Sequence, residues 1–287
     1  MKGFFIAIFF AAFFARAETF DPKKMSFMEL FSQSQRAGDT AEHAEWRDLA
    51  NKELIARGPE SLSNLMDRIH VENVMIGVYA IQLVKTWPLP KDQAVPVLLS
   101  FVGSPREVTR KMAVFLLSFY HAPEEAEKIY PLLESEKTRG AAIRALGKWR
   151  VTNALPRIEP FLHDEKERVR IVTANALRDI GDPREIPALI ATLADPVFTV
   201  RNTSARALVT FGASAIGPIA GALRDASEGV AKRQLIRCLG DLKDTRALAS
   251  LRPLLDSGDY ETRSDVQHSC DLITGKRADL WFGPGED

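Results

Sequence analysis

Apolar residues in this chain return every three or four positions for ten to fourteen residues, pause at a turn, and begin again. The stretch RIVTANALRDIGDPREIPALIATLAD at 170–195 is followed by RNTSARALVTFGASAIGPIAGALRD from Arg201. Arg170 becomes Arg201, Ala176 becomes Ala207, Leu177 becomes Leu208, Gly181 becomes Gly212 and Pro187 becomes Pro218. With Leu177 as the register mark, steps of 31 lead forward to Leu208, Leu239 and Cys270. Backward steps reach Leu146 and Leu117, and looser spacing reaches Ile81 and Leu54. That makes about eight units, the outer ones degenerate.

Each unit holds two apolar stretches. The first stops at a residue such as Gly181 or Gly212, where a helix C-terminus wants positive φ. The second opens on a cap or turn residue, Asp92, Thr152, Asp182, Ser214 or Thr245,. Pro96, Pro156, Pro187 and Pro218 recur early in it, and proline belongs in a helix's first turn, so they are expected to mark the helix start,. Downstream, Leu98, Ile158 and Leu189 fall in step, then Phe101 and Phe161, then Val102, Leu162 and Leu193. No run alternates with period two between turn signals, so strands are not expected. Two helices of roughly 10–13 residues per unit are marginal alone in water and must bury their apolar faces on neighbouring units. The expected fold is all-α: an α-solenoid of about eight stacked helix pairs.

The pattern R-x5-A-L-x2-[IF]-G, a turn, then x-P-x-[LI] near a 31-residue period resembles HEAT repeats, and most closely the short-period variant named after phycobilisome lyases. The resemblance covers roughly residues 45–275. It implies a binding scaffold, or an accessory or catalytic subunit like the chromophore lyases; one group member is an iron hydroxylase built on added His-Glu pairs. Adjacent pairs of that kind are missing here, the nearest being His43-Ala44-Glu45 and His70-Val71-Glu72.

The start of the chain reads differently. MKGFFIAIFFAAFFARAETF has Lys2, a 12-residue apolar run from Gly3 to Phe14, and Ala15-Arg16-Ala17 as a small-x-small cleavage pattern,. The run is shorter than the roughly 18 residues that span a bilayer. The expectation is a signal peptide at 1–17, a helical cap at 18–44, the solenoid at 45–275 and a tail at 276–287. MSFMELFSQ (25–33) and the tail's Trp281 and Phe282 are expected to cover the open ends,. Cleavage leaves 36 basic residues against 38 acidic, which argues against nucleic acid as partner. The protein is therefore expected to be periplasmic or secreted, without stable membrane insertion after cleavage.

Candidate chemistry is sparse. His43, His70, His121, His163 and His268 show no i, i+4 or H-E-x-x-H spacing, and no nucleophile elbow or P-loop occurs,. No catalytic residue, metal site or cofactor is assigned, and an enzyme is not expected. A basic ladder (Arg47, Arg110, Arg139, Arg170, Arg201, Lys232, Arg263) recurs in nearly every unit. Asp164 and Asp195 each lie six residues before its members Arg170 and Arg201, which suggests Asp–Arg ties between a turn and the following helix, with anion binding as the rival role. Cys238 and Cys270, 32 apart in adjacent first helices, are either a disulfide or two small buried residues,. Outward positions on the second helices include Arg157, Glu159, His163 and Arg252, the candidate contacts for a protein partner. Self-association is left open.

Overall fold

The computed structural model describes residues 21–34, 41–69, 81 and 89–276. The expected signal peptide, Trp281 and Phe282 lie outside these residues. The described residues form helices and turns, with no strand among them. The chain divides into two compact units, residues 1–97 and 98–287.

In the first unit, α1 (Phe27–Ser34) packs on α2 (Ala41–Ala56), which leads into α3 (Pro59–Arg68). The start of α1 is a capping box: the Ser26 amide donates to Glu29 at 2.7 Å, and the Glu29 amide donates to Ser26 Oγ at 3.3 Å,. Phe27 and Leu30 of α1 are buried. Arg57, at the end of α2, donates to the carbonyls of Pro22 and Met25 and to Glu53, pinning residues 22–25. Arg47 is exposed here. Helix α4 (Lys91–Val102) runs across the boundary between the units.

The second unit carries the regular repeat. Its first helices are α5 (Glu107–Leu117), α6 (Glu136–Lys148), α7 (Glu167–Ile180), α8 (Phe198–Thr210), α10 (Val230–Asp241) and α11 (Tyr260–Thr274), each packed on the next, with α9 (Ala213–Asp225) following α8. Leu117, Leu146, Leu177, Leu208 and Leu239, the register leucines, are all fully buried. Two pairs of first helices meet through small residues on either side of that mark. A Cβ placed on Gly147 would stand 2.6 Å from the Ala176 Cα, and one on Gly240 would stand 2.7 Å from the Ser269 Cβ. The same layer holds the Trp149 indole, which donates to the Leu117 carbonyl at 3.2 Å, and the Ser269 hydroxyl, which donates to that of Ile236 at 3.2 Å.

The second helices depart from expectation in two ways. Pro96 and Pro218 do not mark a helix start; each is the sixth residue of its helix, α4 or α9. The segments 123–133, 152–163, 183–194 and 245–256 are instead short α turns between 3₁₀ turns. A proline late in the segment explains three of them. Pro131, Pro160 and Pro253 have no N–H to give the carbonyl four residues back, so the α turn stops and a 3₁₀ turn begins around them,. The equivalent position in α9 is Ala222, and α9 continues unbroken. The apolar positions are buried as the pattern requires: Leu98, Ile158, Leu189, Leu162 and Leu193 are at most 1% exposed.

Each first helix from α6 to α10 is followed by a left-handed residue at one register position: Arg150 (φ 55°), Gly181 (73°), Gly212 (57°) and Lys243 (52°). Arg150 and Lys243 occupy a conformation that costs a residue with a Cβ roughly 1 kcal/mol. Arg150→Gly is therefore expected to raise stability by up to about 1 kcal/mol in chemical denaturation. Gly240→Val should lower it by about 1–3 kcal/mol, because the added atoms must displace α11.

Candidate functional site

The ladder residues turn out to be joints. Arg110, Arg139, Arg170, Arg201 and Arg263 each donate to the main-chain carbonyl six residues earlier, that of Ser104, Leu133, Asp164, Asp195 or Ser257. The tie expected between an aspartate and the arginine six residues on is thus made by its backbone. The carboxylates reach back 25 residues instead: Arg139 donates to Asp164 at 2.7 Å, and Arg170 clasps Asp195 with two bonds of 2.7 and 3.0 Å. The reason is geometric, since the aspartate ends the second helix and its carboxylate faces its own unit's first helix, while its carbonyl faces the next unit's. Asp195 also accepts from the Val197 amide. Burial pushes the Asp195 pKa up, but the bonds from Arg170 and Val197 outweigh it and leave the carboxyl lowered. Lys232 instead pairs with Glu228 at 2.6 Å.

Both cysteines are free thiols in this structure. Cys238 sits one residue before its register mark, the place where Ala176 and Ser269 meet the preceding helix. That register turns Cys238 toward α8, away from Cys270 on α11. Burial pushes the Cys238 thiol up to about 12, a value that suits a packing residue and not a nucleophile.

The four proposed contact residues are all exposed. Arg157, Glu159 and His163 share the segment 152–163, where the Arg157 guanidinium lies 4.1 Å over the Tyr130 ring of the unit before. Arg252 occupies the register position of Glu159 three repeats later. At roughly 10 Å between packed helices, it stands some 30 Å along the row. The structure therefore brings three of the four together and leaves the fourth distant. Ile190 and Gly221 hold the positions between them.

The sequence reading missed Glu185. Repeats on either side place Ala154, Ile216 and Ala247 at this position, each buried. Glu185 is equally buried, at 5% exposure, and its Oε2 has no hydrogen-bond partner. Its pKa is pushed up to about 7, chiefly by burial and then by the neighbouring charges of Glu159 and Asp182, with Arg184 opposing. Asp182 itself is held at about 2 by the Arg184 guanidinium and amide. A carboxyl at a register position that is otherwise apolar was legible as a break in the repeat.

Among the described residues no group of three or more His, Cys, Asp or Glu is placed to hold a metal ion. The His43 side chain, His70 and Glu72 fall outside the described set. No described helix is long and apolar enough to cross a membrane.

Residues 126–209, covering three of the first helices and the second segment before each, match the family of HEAT repeats. That stretch is built of HEAT repeats. No curated protein matches it. Among solved structures, this chain is similar to an engineered protein at 19% identity and TM-score 0.43, covering 63% of this chain and 96% of the other. It is also similar to human deoxyhypusine hydroxylase in complex with glycerol, at 16% identity and TM-score 0.35, covering 87% and 97%. A designed armadillo repeat protein in complex with a (KR)4 peptide matches at 15% identity and TM-score 0.30, covering 87% and 100%.

Glu185 makes a pH test of this face. Its folded pKa of about 7 lies above the ordinary 4.5, so the folded state holds the proton more tightly than the unfolded chain. No penalty exists below pH 4.5; it grows as pH rises and is complete above 7, on the order of 2–3 kcal/mol. Glu185→Gln should flatten the fall in melting temperature between pH 5 and 8. An unchanged slope in that variant would remove Glu185 as its source.

Proposed function

We propose that this HEAT-repeat protein is an exported scaffold that binds a protein partner in the cell envelope, along the outward side of its second helices. The observation that carries the reading is a division of labour within each second helix. One side is saturated by the core, with Ile158, Leu189 and Leu251 fully buried. The other exposes Arg157, Glu159, His163 and Arg252, with Arg157 also lying over the Tyr130 ring. Because the backbone is fixed by repeat-to-repeat contacts, binding there would carry little ordering cost. Export is supported by Lys2, the short apolar run and Ala15-Arg16-Ala17, and the near-balance of charge after cleavage suits a protein partner better than nucleic acid,.

In-cell crosslinking of the tagged full-length protein, followed by mass spectrometry, tests the reading. The expected result is a mature N-terminus at Glu18 and a reproducible envelope protein, whose capture is lost when Arg157, Glu159, His163 and Arg252 are all changed to alanine. Capture of cytosolic enzymes or nucleic acid instead would overturn both export and scaffold.

A further inference from the structure

The repeat is broken most sharply by a carboxyl in its interior. Glu185 stands one repeat after Ala154 and two before Ala247, both fully buried. It is itself 5% exposed, and its Oε2 has no hydrogen-bond partner. A buried polar atom left unmatched is rare in a folded protein and calls for a reason. Packing supplies none, because alanine fills the same place in neighbouring repeats.

The charges around Glu185 come from five elements. The segment before it brings Glu159, an exposed acid in no ion pair among the described residues, with Arg157 and His163 also exposed. Its own turn brings Asp182 and Arg184, and Arg184 is spent on Asp182 through bonds of 3.0, 3.1 and 2.6 Å. The end of α7, which leads into that turn, carries Arg178 and Asp179; these pair with each other, and Asp179 also holds Lys148. Helices α8 and α9 pack on Ile186–Ala191, the helix that Glu185 precedes. The first brings Arg201, held on the carbonyls of Asp195 and Pro196, and exposed Arg206; the start of α9, residues 213–217, has no ionisable group. Glu159 and Asp182 therefore act on Glu185 as like charges, and the one opposing cation, Arg184, is already engaged. The proton that Glu185 keeps stands where a positive charge would be welcome.

What supplies that charge follows from the groups present. Among the described residues no set of three or more His, Cys, Asp or Glu is placed to hold a metal ion. A single ammonium or guanidinium asks for less: one exposed carboxylate to bond, and a second close enough to feel its charge. We infer that Glu159 receives a lysine or arginine side chain of the protein partner, and that Glu185, buried beside it, gives up its proton to solvent as that charge arrives. This rests on the scaffold reading above and names the group the partner presents. The sign follows directly. The incoming cation favours ionised Glu185, the ionised fraction grows with pH, and so binding tightens as pH rises, by up to about tenfold per pH unit for one proton released.

The test uses the full chain and, as probe, a fluorescein-labelled tetralysine peptide, whose own charge is constant between pH 5.5 and 7.5. Anisotropy at fixed ionic strength should give a Kd about tenfold tighter at the upper pH. Glu185→Gln, which keeps the shape without the charge, should remove that pH dependence, and Glu159→Gln should weaken binding at least about fivefold at pH 7.5. Glu165→Gln, an exposed acid of the following turn, and His163→Gln, which removes the other nearby group that gains charge on acidification, should both keep it. A version with acetylated lysines should not bind. Absent or pH-independent tetralysine binding would overturn the inference, as would a pH dependence lost in His163→Gln but kept in Glu185→Gln. Magnesium chloride competing fully at micromolar concentration would overturn it too, by making the site one for a metal ion. The scaffold reading fails separately: crosslinking that captures no envelope protein would sink it even where tetralysine binds as expected, and capture that persists in Glu185→Gln with no pH dependence in the parent would sink only the inference.

Discussion

The structure depends on how closely one first helix can approach the next. None of these helices, at 11 to 15 residues, would persist alone in water, so each is stable only through the flanks it shares. At α6–α7 and α10–α11 the approach is limited by single atoms: Gly147 faces the Ala176 backbone and Gly240 faces Ser269, with no room for a methyl group between them. The fully buried leucine mark, the Trp149–Leu117 bond and the Ser269–Ile236 bond all lie in this layer. The arginine ladder then fixes the angle between layers. Each guanidinium reaches a carbonyl at the end of the preceding second helix, and two of them also hold the aspartate that ends the next. Partly buried joints of this kind are costly to break once made, because a lone charge would be left behind. Their directionality makes them better suited to setting register than to adding bulk stability.

Much of this was legible in the sequence, because repetition turns one chain into several readings of the same sentence. A leucine every 31 residues marks the core, and a glycine or turn residue after it marks the left-handed position. The sequence also shows a basic residue at fixed offset, although it cannot say which atom that residue grips. Offset six from Asp164 to Arg170 suggested a carboxylate pair; the bond goes to the Asp164 carbonyl, and the carboxylate serves Arg139. Prolines were legible as helix punctuation, but which of them breaks a segment depends on where it falls. Pro96 and Pro218 leave α4 and α9 intact, whereas the later prolines at 131, 160 and 253 split their segments.

The candidate site was less legible, because function in a repeat lies where the pattern is broken, and attention to the pattern hides the breaks. Glu185 stands where neighbouring repeats bury Ala154, Ile216 and Ala247. Phe198 and Tyr260 stand where earlier repeats begin with glutamate, with Gly229 at that register between them. Neither break is a motif in any single repeat; both emerge only when equivalent positions are set side by side. The cysteine pair shows the opposite error. Its spacing looked like a link between adjacent helices, yet a shift of one residue on a helix turns a side chain by about 100°, enough to send Cys238 toward α8.

These breaks differ in what they ask of the fold. Glu185 carries a cost inside the molecule: a carboxyl desolvated beside Glu159 and Asp182, with its Oε2 unmatched. A buried polar group without a partner is normally removed by drift toward the apolar residue its neighbours use. Its place against exposed Glu159 couples the interior of one repeat to the outward charge of the row, so a cation approaching Glu159 would lower the cost of ionising Glu185. Phe198 and Tyr260 carry their cost at the surface, as apolar area left in water. A rigid array built from many copies of one joint can carry both, because each repeat is held by its neighbours and tolerates a departure that a lone helix pair would not.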